Sequence, residues 1–145
     1  MTVQTTTFGM LNKPSRVLSV TLWVAQILLA LLFGGAGYNH AFASLDTLAQ
    51  MGATWALQAP IWLVRFIGIA ELAGTAGIIL PALTRIRPGL TPLAALGFAV
   101  IQLLAIPVHI VRSEFGVLPF NCVLLALSLF VLWGRGRKAR IQPRG

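Results

Sequence analysis

Hydrophobic residues gather in four long runs, at residues 17–37, 61–83, 90–110 and 116–133, and polar residues collect between them. Each run is close to the roughly 20 residues an α-helix needs to cross about 30 Å of hydrocarbon. The pattern predicts an all-α protein: an integral membrane four-helix bundle, one domain over residues 1–145. The first run imitates a signal peptide, with Lys13 and Arg16 before it and Ala41-Phe42-Ala43 after it. Its apolar part is too long and the distance to that site too great, so it reads as a retained span.

The longest connection lies between the first two runs. Within it SLDTLAQMG (residues 44–52) predicts a short helix with Ser44 as N-cap and Gly52 just past its end. Leu45, Leu48 and Ala49 give that helix one apolar face, which is expected to lie along the membrane surface. Pro60 and Pro92 suit the first turns of spans 2 and 3, with Thr91 as a cap, whereas Pro107 falls late in span 3 and should kink it. Glycine and alanine recur as Gly34, Gly35 and Gly37 on span 1 and as Gly68, Ala70, Ala73, Gly74 and Gly77 on span 2. Ala70 with Gly74, and Ala73 with Gly77, share a face and permit close helix approach.

Composition agrees with this reading: 57% of residues are hydrophobic and 10% charged, against about 25% charged in a soluble domain. The net charge of +8 changes the picture only through its placement. Lys13, Arg16, Arg85, Arg87, Arg135, Arg137, Lys138, Arg140 and Arg144 all fall at one end of the predicted bundle. The positive-inside rule then places both termini and the TRIRPG turn (residues 84–89) in the cytoplasm, with the 44–52 helix outside. The basic tail, residues 134–145, is expected to sit against anionic headgroups, and no nucleic-acid partner is needed. A lone cysteine, Cys122, excludes an intramolecular disulfide, a CxxC pair and a cysteine zinc cage, and reads as a small buried hydrophobe. No metal site is expected. Trp62 and Trp133, at span ends, read as interface anchors.

Polar residues inside the spans carry the functional information. Arg65 and Glu71 are six residues apart and do not share a face, so Glu71 must find its partner on another helix. Counting rise from the outer surface puts Arg65 about 6 Å and Glu71 about 15 Å deep. On span 3 His109 lies about 5 Å and Gln102 about 15 Å deep, on one face. Gln26, near the midplane, and Asn39 and His40, at the outer end of span 1, join them, as does Asn121, about 8 Å down span 4. The expected result is a polar pocket in the outer half, with Gln102, His109 and Asn121 brought to Glu71, and an inner half almost without polar groups. Intramembrane ionisable residues face the bundle interior and pair there.

Three stretches resemble the DoxX-like membrane proteins, small four-helix proteins of bacterial inner membranes. LLFGGAGYNHAF (residues 31–42) is similar to the family's glycine-rich end of helix 1, which usually closes on a lysine where this chain has His40. RFIGIAELAGTAGIILP (residues 65–81) resembles its helix 2, and IQLLAIPVHIVRSEF (residues 101–115) its histidine-ended helix 3. The resemblance implies a multi-pass protein of the bacterial inner membrane, connected with membrane redox complexes and thiosulfate–quinone chemistry or, in distant eukaryotic relatives, with chaperoning in the membrane.

Three functions fit these residues. The pocket binds a hydrophobic small molecule, a quinone or lipid-like compound, or serves a membrane-protein partner or homo-oligomer as an accessory subunit; Arg65, Gln102, Asn121, His40, Asn39 and Gln26 are the binding set. Alternatively, Glu71 and His109 act as catalytic acid and base on a lipophilic substrate. A quinone-linked redox subunit is the third; haem would require both His40 and His109 as axial ligands and is the less favoured redox form. A channel is disfavoured by the bare inner half, and hydrolysis of soluble substrates by the lack of a nucleophile elbow, zinc motif or phosphate loop.

Overall fold

The structure, a computed structural model, describes residues 14–145, so Lys13 lies outside the described residues. Four helices are long and apolar enough to cross a membrane. Helix α1 is Arg16–Phe42, α2 is the short Leu45–Gln50, α3 is Ile61–Thr84, α4 is Leu90–Val111 and α5 is Leu118–Trp133. A 3₁₀ turn at Thr54–Leu57 lies between α2 and α3, another at Phe115–Val117 leads into α5, and a π-turn at Gly134–Lys138 continues it.

Local chemistry sets these boundaries. Ser15 Oγ accepts from the Leu18 amide and Ser44 Oγ from the Thr47 amide, capping α1 and α2. Gly52, at φ 98°, turns the chain after α2. Arg85 takes the left-handed conformation that ends α3. Thr91 is not the cap expected of it: Gly89 holds that position, and Thr91 lies buried inside the first turn of α4 with Oγ1 unpartnered among the described residues. Pro107 is accommodated within a continuous α4, where it removes one rung of the hydrogen-bond ladder.

Helices α1 and α4 each pack against both α3 and α5, closing a four-membered ring. Lipid tails are as apolar as leucine, so close contact rather than water exclusion holds such helices together. Phe33 of α1 stacks on Phe98 of α4 with centroids 3.8 Å apart, and Leu22, Leu29, Ile78, Ala95 and Val131 complete the layer. The tightest approach is α1 on α3. A Cβ at Gly68 would lie 2.8 Å from the Gly37 carbonyl oxygen, and one at Gly37 would lie 2.8 Å from Glu71 Cβ. Only glycine at both positions lets the backbones meet.

The apolar face of α2 turns to the protein rather than along the membrane surface: Leu48 is buried against Ala56 and Val64. The 3₁₀ turn at Thr54–Leu57 supplies a closer apolar partner than the headgroup region does. Cys122, expected to be buried, is exposed on α5, as are its neighbours Phe120 and Val123. At the end holding the start of α1, the C-terminal segment folds back. The Arg144 amide donates to the Arg85 carbonyl (3.0 Å), and Arg85 Nε donates to the Gln142 carbonyl (3.0 Å).

Candidate functional site

The close crossing at Gly37 and Gly68 delivers the last turn of α1 to the side of α3. Its consequence is a carboxylate–imidazole pair: His40 Nδ1 and Glu71 Oε2 are 2.7 Å apart, with Glu71 only 4% exposed. The final carbonyls of α1 lack intrahelical donors. Arg65 Nη1 supplies one to the His40 carbonyl at 2.7 Å, so the guanidinium caps α1 and fixes the residue that faces Glu71. Trp55 meets the His40 ring edge-on at 5.4 Å. The partner of Glu71 is therefore on α1, whereas Gln102, His109 and Asn121 were the expected partners.

His109 is engaged elsewhere. Its Nδ1 is 2.7 Å from Glu114 Oε2, while Glu114 Oε1 accepts from Arg112 Nε (2.8 Å) and from Thr54 Oγ1 (2.9 Å). Arg112 also donates to Thr54 Oγ1 at 3.0 Å and to Gln58 Oε1. These bonds tie the 3₁₀ turn to the end of α4. The His109 hydrogen bond, against burial and aided by Thr54 and Arg112, holds the Glu114 carboxyl below its ordinary range.

Between these two groups is a cavity of about 910 Å³, near the upper size for a small-molecule site. Its walls are mostly apolar, with Phe33, Leu63, Ile67, Ala105 and Leu124 among them, and Trp55, Gln58 and Ala59 close one side. The polar side chains are those of Glu71, His40, Gln102, Asn121, His109, Arg112 and Gln58. Gln102 and Asn121 are 5% and 8% exposed, and among the described residues Gln102 Oε1 and Asn121 Nδ2 have no hydrogen-bond partner. A buried polar group left in this state costs about 1–3 kcal/mol.

Of the binding set read from the sequence, His40, Gln102 and Asn121 line the cavity with Glu71 and His109. Arg65 sits behind the pair, bound to the His40 backbone, and Asn39 does not line the cavity. Gln26 belongs to the other half of the bundle: its Nε2 donates to the Ile78 carbonyl (2.8 Å) and its Oε1 accepts from Arg135 Nε (2.7 Å). The half expected to lack polar groups thus holds a buried arginine, 5% exposed, whose guanidinium also lies 5.4 Å from the Trp23 ring. The π-turn after α5 carries Arg135 inward, where a basic tail residue was expected to reach headgroups. Trp55, Gln58, Arg112 and Glu114 were not singled out as site residues; the signal available was that Glu114 is one of three acidic residues in the chain and follows Arg112 closely.

Four membrane-length helices packed into one bundle define a small multi-pass membrane protein. The chain belongs to the DoxX-like family, whose sequence model matches residues 24–131. That match contains every residue lining the cavity and stops short of Arg135. No curated protein and no solved structure matches the chain.

Proposed function

We propose that the protein binds a hydrophobic small molecule, quinone or lipid-like, in this cavity, and so serves a complex of the bacterial inner membrane as an accessory subunit. The observation carrying this reading is the pair of unpartnered buried carboxamides, Gln102 and Asn121, in a mostly apolar space beside Glu71 and His40. A ligand oxygen that accepts from Asn121 Nδ2, or a hydroxyl that donates to Gln102 Oε1, removes the cost of leaving them bare. A quinone head offers such oxygens, and its reduced form such hydroxyls. With the basic ends in the cytoplasm, the cavity opens in the outer half of the membrane.

Native mass spectrometry of gently extracted protein tests this. The wild type should carry a reproducible extra mass, and Gln102→Leu combined with Asn121→Leu should lose it while still folding. A bare chain mass in the wild type, or an adduct untouched by the double variant, sinks the reading.

A second reading rests on the carboxylate–imidazole pair at the cavity wall. Glu71 acts on a lipophilic substrate as acid or base with His40 as its proton partner, the place first assigned to His109. Loss of turnover in Glu71→Gln with the fold and the bound mass retained selects this reading over simple binding.

A further inference from the structure

A second hollow, of about 450 Å³, runs between α3 and α4 and shares Ala70, Val100 and Ile101 with the cavity. Its remaining walls are apolar; Phe98 packs onto the bare backbone at Gly74, and Gly97 leaves the α4 side open. A Cβ at Gly97 would meet nothing within 4 Å, so this stretch of α4 faces open space. From Ile101 to Leu93 the groove follows α4 for about 12 Å. Of these two adjoining spaces, the cavity holds the polar side chains and the groove is lined by apolar ones. The two spaces match the two parts of one amphiphile.

Resting on the binding reading above, we infer that the ligand is a single-chain amphiphile: its oxygen-bearing head lies among Gln102, Asn121 and the Glu71–His40 pair, and its apolar chain occupies the α3–α4 groove. A bilayer acyl chain could fill the groove alone, yet it offers nothing to the two unpartnered carboxamides in the adjoining cavity. The adjacency of groove and cavity, which share Ala70, Val100 and Ile101, therefore favours one molecule spanning both.

The test uses two probes, a plain benzoquinone and the same head with a decyl chain, in nanodiscs, with concentrations referred to the lipid phase. Binding is read from quenching of Trp55, which lines the cavity, in a chain where it is the sole tryptophan. The decyl probe should bind at least about tenfold more tightly. Gly97→Leu, which fills the groove, should abolish that advantage and leave the plain head unaffected. Equal loss of both probes in a variant with native unfolding, or loss of neither, overturns the inference and leaves the groove to bilayer chains. Absence of quenching by either probe in the wild type overturns the cavity reading itself and the inference with it. A decyl probe with a diazirine at its chain end gives a measurement independent of the variant. Labelling of Leu93 or Leu96 supports the threaded chain, and labelling confined to Leu63 or Phe66 overturns it.

Discussion

At Glu71 the question is what replaces water around a carboxyl that is 4% exposed in a membrane helix. The replacement is His40 Nδ1, held in place by Arg65 through the backbone. His40→Leu removes this hydrogen-bond partner and should lower stability by about 1–3 kcal/mol, the cost of stranding a buried polar group. His40→Lys, which installs the residue the family resemblance makes usual here, keeps a donor and should recover most of the loss. Thermal unfolding in one detergent measures both; equal losses would mean that the ring contact with Trp55, rather than the hydrogen bond, is what His40 contributes. That Glu71 needs a partner on another helix was legible from its spacing to Arg65. Which helix supplies it was not, because depth along the membrane makes Gln102 level with Glu71, while the choice of His40 depends on how closely α1 and α3 approach.

At the scale of elements, that approach is set by Gly37 and Gly68. Small residues on spans 1 and 2 were visible as packing positions, but the spacing rule highlighted Ala70, Ala73, Gly74 and Gly77. A repeat along one helix does not tell where a second helix crosses it. Gly68→Ala should cost about 1–3 kcal/mol by overpacking, since its new Cβ meets rigid backbone of α1, and should loosen the His40–Glu71 pair with it. Gly35→Ala, with nothing within 4 Å, is the control and should be neutral or slightly stabilising by helix propensity. Urea unfolding of the two variants makes the comparison, and similar costs would reject the crossing argument.

The 3₁₀ turn at Thr54–Leu57 is held on α4 by Glu114, Arg112 and His109, and with Trp55 it covers one side of the cavity. Because the folded pKa of Glu114 is depressed, its stabilising contribution is complete above the unfolded carboxyl's value of about 4.3 and is lost as pH falls through the lower folded value. Hydrogen exchange at residues 54–58, corrected for intrinsic rates, should therefore be protected at pH 7 and lose protection in that acidic window. Glu114→Gln should show the same loss already at pH 7. Unchanged protection across both conditions would show that apolar contacts alone retain the turn.

For the molecule as a whole, four spans and their order were legible because a helix crossing lipid must be predominantly apolar over about 20 residues. Polar contacts at the terminal end were hidden because a basic tail reads as a headgroup anchor, whereas the π-turn returns Arg135 to the bundle. The resulting chain runs from α5 through Arg135 to Gln26 on α1 and on to the Ile78 carbonyl of α3, linking three helices by side-chain hydrogen bonds. Arg135 has no carboxylate among its hydrogen-bond partners, only Gln26 and the Ala139 carbonyl, together with the Trp23 ring, and its Nη2 is unpartnered among the described residues. A buried charge satisfied only by neutral groups depends strongly on each of them. Gln26→Leu should therefore destabilise more than Arg135→Met, which leaves only a neutral carboxamide oxygen unpaired and retains the length of the side chain. The double variant, which removes both ends of the bond, should cost less than the sum of the two by about 0.5–3 kcal/mol. Unfolding midpoints in detergent for the four members of this cycle decide the matter; strict additivity would mean that Arg135 and Gln26 stabilise the terminal end independently, and that the three-helix linkage contributes nothing as a unit.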